Sequence, residues 1–121
     1  GYPSLQLVLG HGCEGLPFWL YRLDFMHKAG IRSQRYPRLK PLRHDLFHYM
    51  RHNVHGTCSG LPFEPAIQLM IEVMGEDRVM YAMDYPYQYV PDEVRWMDDL
   101  DLTLEQKRKF FQTNAETLFK L

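Results

Sequence analysis

Apolar and polar positions fall into three blocks along the chain, each a short apolar run followed by residues at helical spacing. The first run is Leu5 to Leu9, of the kind a buried parallel strand makes, and it breaks at Gly10. Leu16, Leu20, Leu23 and Met26 or His27 then recur near 3.6-residue spacing, predicting a helix over 15–28 with Pro17 in its first turn. Ala29 to Pro41 is polar and Arg-rich, with Pro37 and Pro41, and reads as a long surface loop. A second helix is expected over 42–52 and a second strand over 54–58, ending in Ser59-Gly60. Pro62 and Pro65 open a third helix, 66–74, which Gly75 closes. Residues 78–83, RVMYAM, form the third strand and end at Asp84. An aromatic loop, 85–91, leads to a helix over 92–98. Thr103-Leu-Glu-Gln is a capping-box signature ahead of the final helices.

Strands that alternate with helices make parallel βαβ units. Right-handed crossovers then set the three strands side by side in chain order. Three strands leave two open edges and a modest core. The pattern therefore predicts an α/β segment of a larger fold, with no internal repeat or low-complexity tract.

Composition narrows the classes. A chain of 121 residues is one domain at most, or a piece of one. Its 14 basic and 15 acidic side chains nearly cancel, so charge favours neither nucleic acid nor a membrane surface as partner. No apolar run approaches the roughly 20 residues of a membrane span. The chain opens on Gly-Tyr-Pro, without a signal-peptide pattern or an initiator Met. Two cysteines, Cys13 and Cys58, are expected as free thiols in a reducing compartment, which gives a cytoplasmic expectation.

Each strand run ends in polar side chains: His11 with Glu14 after the first, Thr57 and Ser59 after the second, Asp84 after the third. C-terminal strand ends are where α/β sheets keep their chemistry. His11 titrates near neutrality and Glu14 can orient it, although a capping Glu beside a hydrogen-bonded core His would read the same. A carboxylate straight after a mostly apolar strand is costly unless paired or bound to metal, so Asp84 is either a turn cap, a metal ligand or an acid–base group. His44, His48 and His52 recur at i, i+4, i+8 on the second helix. That spacing suits a metal, but a polar outer helix face is the expectation. The Arg32–Arg43 stretch is read as a solvated or subunit-contact loop.

These residues resemble the aromatic-acid decarboxylases of the amidohydrolase superfamily, the group of γ-resorcylate and 2,3-dihydroxybenzoate decarboxylases. Their pattern GHxGExLPxxxxRxD is matched by Gly10-His11-Gly12-Cys13-Glu14-Gly15-Leu16-Pro17, then Arg22 and Asp24. Their Thr-Ser-Gly strand end is matched by Ser59-Gly60, with Cys58 in place of Thr. Their Asp-[Tyr/Trp]-Pro signature is Asp84-Tyr85-Pro86. Their closing Asn-Ala-x-x-Leu-Phe is Asn114-Ala115 with Leu118-Phe119.

The resemblance implies the C-terminal three β/α units, strands six to eight, of a (β/α)8 TIM barrel of the metal-dependent hydrolase type, spanning 1–121. It implies one divalent metal, Zn or Mn, in the complete enzyme and none held tightly by this piece. By resemblance His11 is catalytic and held by Glu14. Asp84 is the metal ligand and a candidate proton donor. Ser59 and its neighbours line the mouth, Tyr87 lines the substrate pocket, and Arg22 reaches a substrate carboxylate from a neighbouring subunit. The implied activity is non-oxidative decarboxylation of a small phenolic or aromatic carboxylic acid by a homo-oligomer. A hydrolase of the same superfamily, or a non-catalytic remnant that self-associates, are the alternatives. Three departures stand out. Gly12-Cys13 replaces the usual hydrophobic-Gly, Gln88 stands where many relatives have Glu, and the metal motifs of strands one and five are expected upstream of Gly1.

Overall fold

Three short parallel strands lie in chain order in the computed structural model, which describes residues 2–121. β1 (Leu7–Leu9) pairs with β2 (Val54–Thr57), setting Val8 opposite His55, and β2 pairs with β3 (Val79–Met80), setting Gly56 opposite Val79. The connecting helices are α1 (Leu16–Ser33) and α2 (Leu46–His52) before β2, and α3 (Glu64–Met74) before β3. α4 (Glu93–Asp98), α5 (Leu104–Arg108), a π turn (Lys109–Thr113) and α6 (Asn114–Phe119) close the chain. The expected strand order and βαβ alternation are both observed.

The core lies on the helix side of the sheet. Gly56 makes the close approach possible there. A Cβ at this position would sit 2.7 Å from the Cys13 sulfur and 3.0 Å from that of Met70. Leu20, Met50, Val54, Ile67, Met70, Met74, Val79 and Phe110 pack around that contact. Methionines are prominent because the unbranched side chain fills irregular gaps between short strands and helices. Strand side chains alternate, so His55 and Thr57 emerge on the other face from Gly56. On that face Arg78 donates to both His55 Nε2 and Gln6 Oε1, each at 2.9 Å. Burial and the neighbouring Arg78 cation hold His55 below its ordinary pKa.

Several boundaries differ from the sequence reading. β1 is three residues long, and Leu7 and Val8 are about half exposed because β1 is an edge strand with no helix over its outer side. α1 runs five residues past the expected end, to Ser33. There the chain turns left-handed at Gln34, whose N–H bonds the Ile31 carbonyl. α2 begins four residues late, because Asp45 caps it by accepting from the His48 N–H at 2.8 Å. β3 keeps only two ladder residues. The Tyr81 N–H leaves the sheet to bond the Phe110 carbonyl at 2.8 Å. The capping box is present in full, with Thr103 Oγ1 accepting from the Gln106 N–H and Gln106 Oε1 accepting from the Thr103 N–H. No described helix is long and apolar enough to cross a membrane.

Candidate active site

The chain leaves β1 through a left-handed turn. Five consecutive residues, His11 to Gly15, have positive φ, between 50° and 76°. Gly12 and Gly15 adopt this freely, but His11, Cys13 and Glu14 each carry a Cβ into a region that costs about 1–2 kcal/mol per residue. Such strain persists only where the surroundings over-determine it, and it concentrates at working sites. Three contacts hold the turn. The His11 N–H donates to Ser59 Oγ at 3.1 Å. His11 Nδ1 and Glu14 Oε1 are 2.9 Å apart. Cys13 is fully buried and packs its sulfur on that of Met74 at 3.8 Å.

The turn aims His11 across the mouth of the sheet. Its Nδ1 is committed to Glu14, and its Nε2 lies 3.5 Å from Asp84 Oδ1. The Glu14 hydrogen bond raises the His11 pKa first and most. Partial desolvation opposes it, and Asp84 adds to the rise. The charged imidazole is therefore favoured more than in a free histidine, with a carboxylate beside each ring nitrogen. Asp84 reaches its position through a backbone kink, with φ of 75°.

The second strand supplies the floor. Thr57 Oγ1 and Ser59 Oγ are 3.0 Å apart, and the Ser59 N–H bonds back to Thr57 Oγ1 at 3.4 Å. Gly60 follows with φ of 63°, and the space where its Cβ would lie is bounded on three sides. His11 Cδ2 stands 3.2 Å away, Asp84 Oδ2 3.4 Å and Gln88 Oε1 3.6 Å. Gln88 is thus part of the constellation, and its N–H bonds the Asp84 carbonyl at 3.0 Å. The only sequence signal for it was the replacement of the relatives' Glu.

One buried acidic group carried no signal in the sequence. Glu93, at the start of α4, is 0% exposed. Tyr81 donates to its Oε1 at 3.2 Å, while Oε2 has no partner among the described residues. Burial, with the Glu93 charge beside it, pushes the Tyr81 hydroxyl up to about 12. Cys58 and Cys13 are unpaired, and burial pushes each thiol up to about 11, so neither is a nucleophile. An acidic residue in a first helical turn gave no hint of burial.

His11, Glu14, Ser59 and Asp84 therefore meet, whereas two expected residues stand apart. Arg22 is exposed on α1, with its guanidinium 6.0 Å from the Phe25 ring centroid. Tyr87 is 91% exposed on the aromatic loop. His44, His48 and His52 stack ring on ring, with centroids 4.0 Å and 4.1 Å apart, so their nitrogens do not converge. Among the described residues no group of three or more His, Cys, Asp or Glu is placed to hold a metal. A cavity of about 700 Å³ lies away from this mouth, between α1 and the segment before α2, lined by Phe25, Ile31, Arg32, Leu42 and Arg43.

As donors for a divalent ion, the residues present fit one coordination position. Asp84 offers a hard carboxylate oxygen, Oδ2, beside space that Gly60 leaves open, and His11 Nε2 is turned toward the same carboxylate.

The amidohydrolase family profile matches residues 2–121. The γ-resorcylate decarboxylase of Rhodococcus jostii is 33% identical over 121 residues, 99% of this chain and 35% of that protein. Among solved structures, a 5-carboxyvanillate decarboxylase from Novosphingobium aromaticivorans, complexed with manganese and 4-hydroxy-3-methoxy-5-nitrobenzoic acid, is 63% identical. It superposes with a TM-score of 0.97 over 99% of this chain and 34% of that one. A dihydroxybenzoic acid decarboxylase from Polaromonas, with bound manganese and 2-nitroresorcinol, is 26% identical with a TM-score of 0.82 over 99% of this chain and 35% of that one. The chain belongs to the amidohydrolase family, has the fold of part of its barrel, and spans about a third of the length of the curated relatives it matches.

Proposed function

We propose that this member of the amidohydrolase family forms the C-terminal part, strands six to eight, of a metal-dependent, non-oxidative decarboxylase of phenolic aromatic acids, with a substrate of the 5-carboxyvanillate kind. The observation that carries the reading is the 63% identity, with a TM-score of 0.97, to a 5-carboxyvanillate decarboxylase, over a stretch that holds the His11–Asp84 pair. The nitro compound bound to that relative keeps the hydroxyl and methoxy groups of vanillate and has a nitro group where a carboxylate would leave.

The reaction requires a ring carbon to gain a proton and then lose carbon dioxide. The carbon–carbon bond breaks, its electron pair returns to the ring, and the proton replaces the carboxylate. Asp84 would be one ligand of a divalent ion, manganese being the one bound in two similar structures. Such an ion, when bound, polarises the phenolate and carboxylate oxygens. Asp84 is the proposed proton donor to the ring carbon. His11, whose protonated form Glu14 favours, would supply that proton to Asp84 through Nε2, becoming neutral as the ring carbon gains it and regaining a proton from solvent after carbon dioxide leaves. Ser59 sets the His11 backbone, so it acts on the ring's position more than on the proton itself. Tyr87 is proposed to cover the bound ring from the exposed loop. Arg22 is proposed to reach the substrate carboxylate across a subunit boundary, consistent with its exposure beside Phe18, Trp19 and Phe25.

The test is carbon dioxide release by the full-length protein, loaded with manganese and given 5-carboxyvanillate. Equimolar carbon dioxide and vanillate are expected. Intact substrate after loading with manganese or zinc would refute the reading.

A further inference from the structure

Gln88 is the uncharged side chain that, with His11 and Asp84, bounds the space where a Gly60 Cβ would lie. Its Oε1 lies 3.6 Å from the Cβ position of Gly60, and Asp84 Oδ2 lies 3.4 Å from the same point. Its backbone N–H bonds the Asp84 carbonyl at 3.0 Å, which ties the main chain at position 88 to Asp84 and keeps the side chain's root at this rim. The mouth carries two acidic side chains, Glu14 and Asp84, against His11 and the divalent ion proposed on Asp84. A substrate with two carboxylates and an ionisable phenol brings at least two further negative charges.

From this charge balance we infer that Gln88 is a specificity-determining residue, and that its neutrality admits dicarboxylate phenols. This rests on the proposed decarboxylase reading. A carboxylate at position 88 would face both Asp84 and the incoming anion. Coulomb repulsion at contact range in a partly desolvated mouth is enough to change affinity by about tenfold or more. The penalty scales with substrate charge, so it separates a dicarboxylate from a monocarboxylate of the same ring. The amide also offers an N–H that a substrate oxygen can accept, which a carboxylate cannot supply.

The experiment compares the full-length, manganese-loaded protein with Gln88→Glu and with Gln88→Met, a neutral side chain of similar length. Each is assayed on 5-carboxyvanillate and on ortho-vanillate, the same ring without its second carboxylate. Gln88→Glu is expected to raise KM for the dicarboxylate by about tenfold or more, and for the monocarboxylate by less than about threefold. Gln88→Met is expected to keep the wild-type preference between the two. Equal losses on both substrates in Gln88→Glu would overturn the inference. So would a Gln88→Met variant that shifts preference as far as Gln88→Glu does. A wild-type protein that decarboxylates neither substrate would instead refute the underlying reading. Circular dichroism and manganese content of each variant separate misfolding from discrimination. A Gln88→Glu variant that folds, binds manganese and keeps its preference is evidence against the inference.

Discussion

His11 Nε2 lies 3.5 Å from Asp84 Oδ1, which joins a residue that follows the first strand to one that follows the third. Neither side chain reaches the other by ordinary strand geometry. His11 arrives through a left-handed turn and Asp84 through a kink at φ of 75°. The proposed chemistry depends on this pair, and each part of it predicts a measurable outcome.

Removing Asp84 and removing His11 should have different consequences. In the full-length protein, Asp84→Asn is expected to lose bound metal and turnover together. His11→Ala should keep metal but lose at least about a hundredfold in kcat, the scale of general acid–base catalysis. Metal analysis of the purified variants beside their rates distinguishes the two roles. A fully metallated Asp84→Asn protein would remove Asp84 from the ligand set.

The His11 ring should titrate above 6.5, since Glu14 and then Asp84 favour the charged form. A pKa raised by folding stabilises the fold fully below the unfolded value. That contribution fades as pH rises through the higher folded value. Glu14→Gln should lower the His11 midpoint and move the alkaline limb of activity with it. Proton NMR of the ring checks the sign, and an unchanged midpoint in Glu14→Gln would show that the 2.9 Å contact does not set it.

Gly60 should tolerate no side chain. Alanine there meets His11 at 3.2 Å and Asp84 at 3.4 Å, with backbone φ at 63°. The left-handed strain alone costs about 1–2 kcal/mol. Displacing His11 by a fraction of an ångström should lower kcat/KM by about tenfold or more. Steady-state kinetics with a urea titration separate the two effects.

Glu93 offers a stability test away from the chemistry. Tyr81→Phe removes the hydrogen bond to its fully buried carboxylate and should destabilise by about 1–3 kcal/mol. Changing Glu93 to Met in the same background should recover part of that loss, because the uncompensated polar group is gone. Denaturant midpoints of the two variants decide.

Much of this arrangement was legible in the residues. Strand order followed from βαβ alternation, and Thr103 with Gln106 announced the helix they cap. Polar residues after each apolar run located the mouth. What could not be read was its backbone. Cys13 is left-handed, with φ of 56°, a conformation that favours glycine, and nothing in the Cys itself signals this. Gln88 and Glu93 were obscured for a related reason. The half-buried place of Gln88 and the full burial of Glu93 depend on how the segment after Asp84 packs, and that packing has no periodicity to read. Ladder length was over-read at β3, where Phe110 takes the N–H of Tyr81 away from the sheet.

Expressed alone, the 121-residue chain should neither decarboxylate nor bind a catalytic metal tightly. Of the ligands proposed for the catalytic metal this chain carries Asp84 alone, and no group of three donors exists among the described residues. Its sheet has two edge strands, and Leu7, Val8, Phe18, Trp19 and Tyr21 are exposed. Edges and apolar patches of this kind drive self-association. Gel filtration with calorimetric zinc titration checks this. A monodisperse monomer that binds zinc at micromolar affinity would oppose it and point to the His44, His48 and His52 face.

The most direct test of the central claim is the anomalous-scattering map of the full-length protein crystallised with manganese. A manganese peak bonded to an Asp84 carboxylate oxygen, with His11 Nε2 beside that carboxylate and Glu14 on Nδ1, is the predicted result. A single peak elsewhere, with Asp84 free of metal, would contradict it.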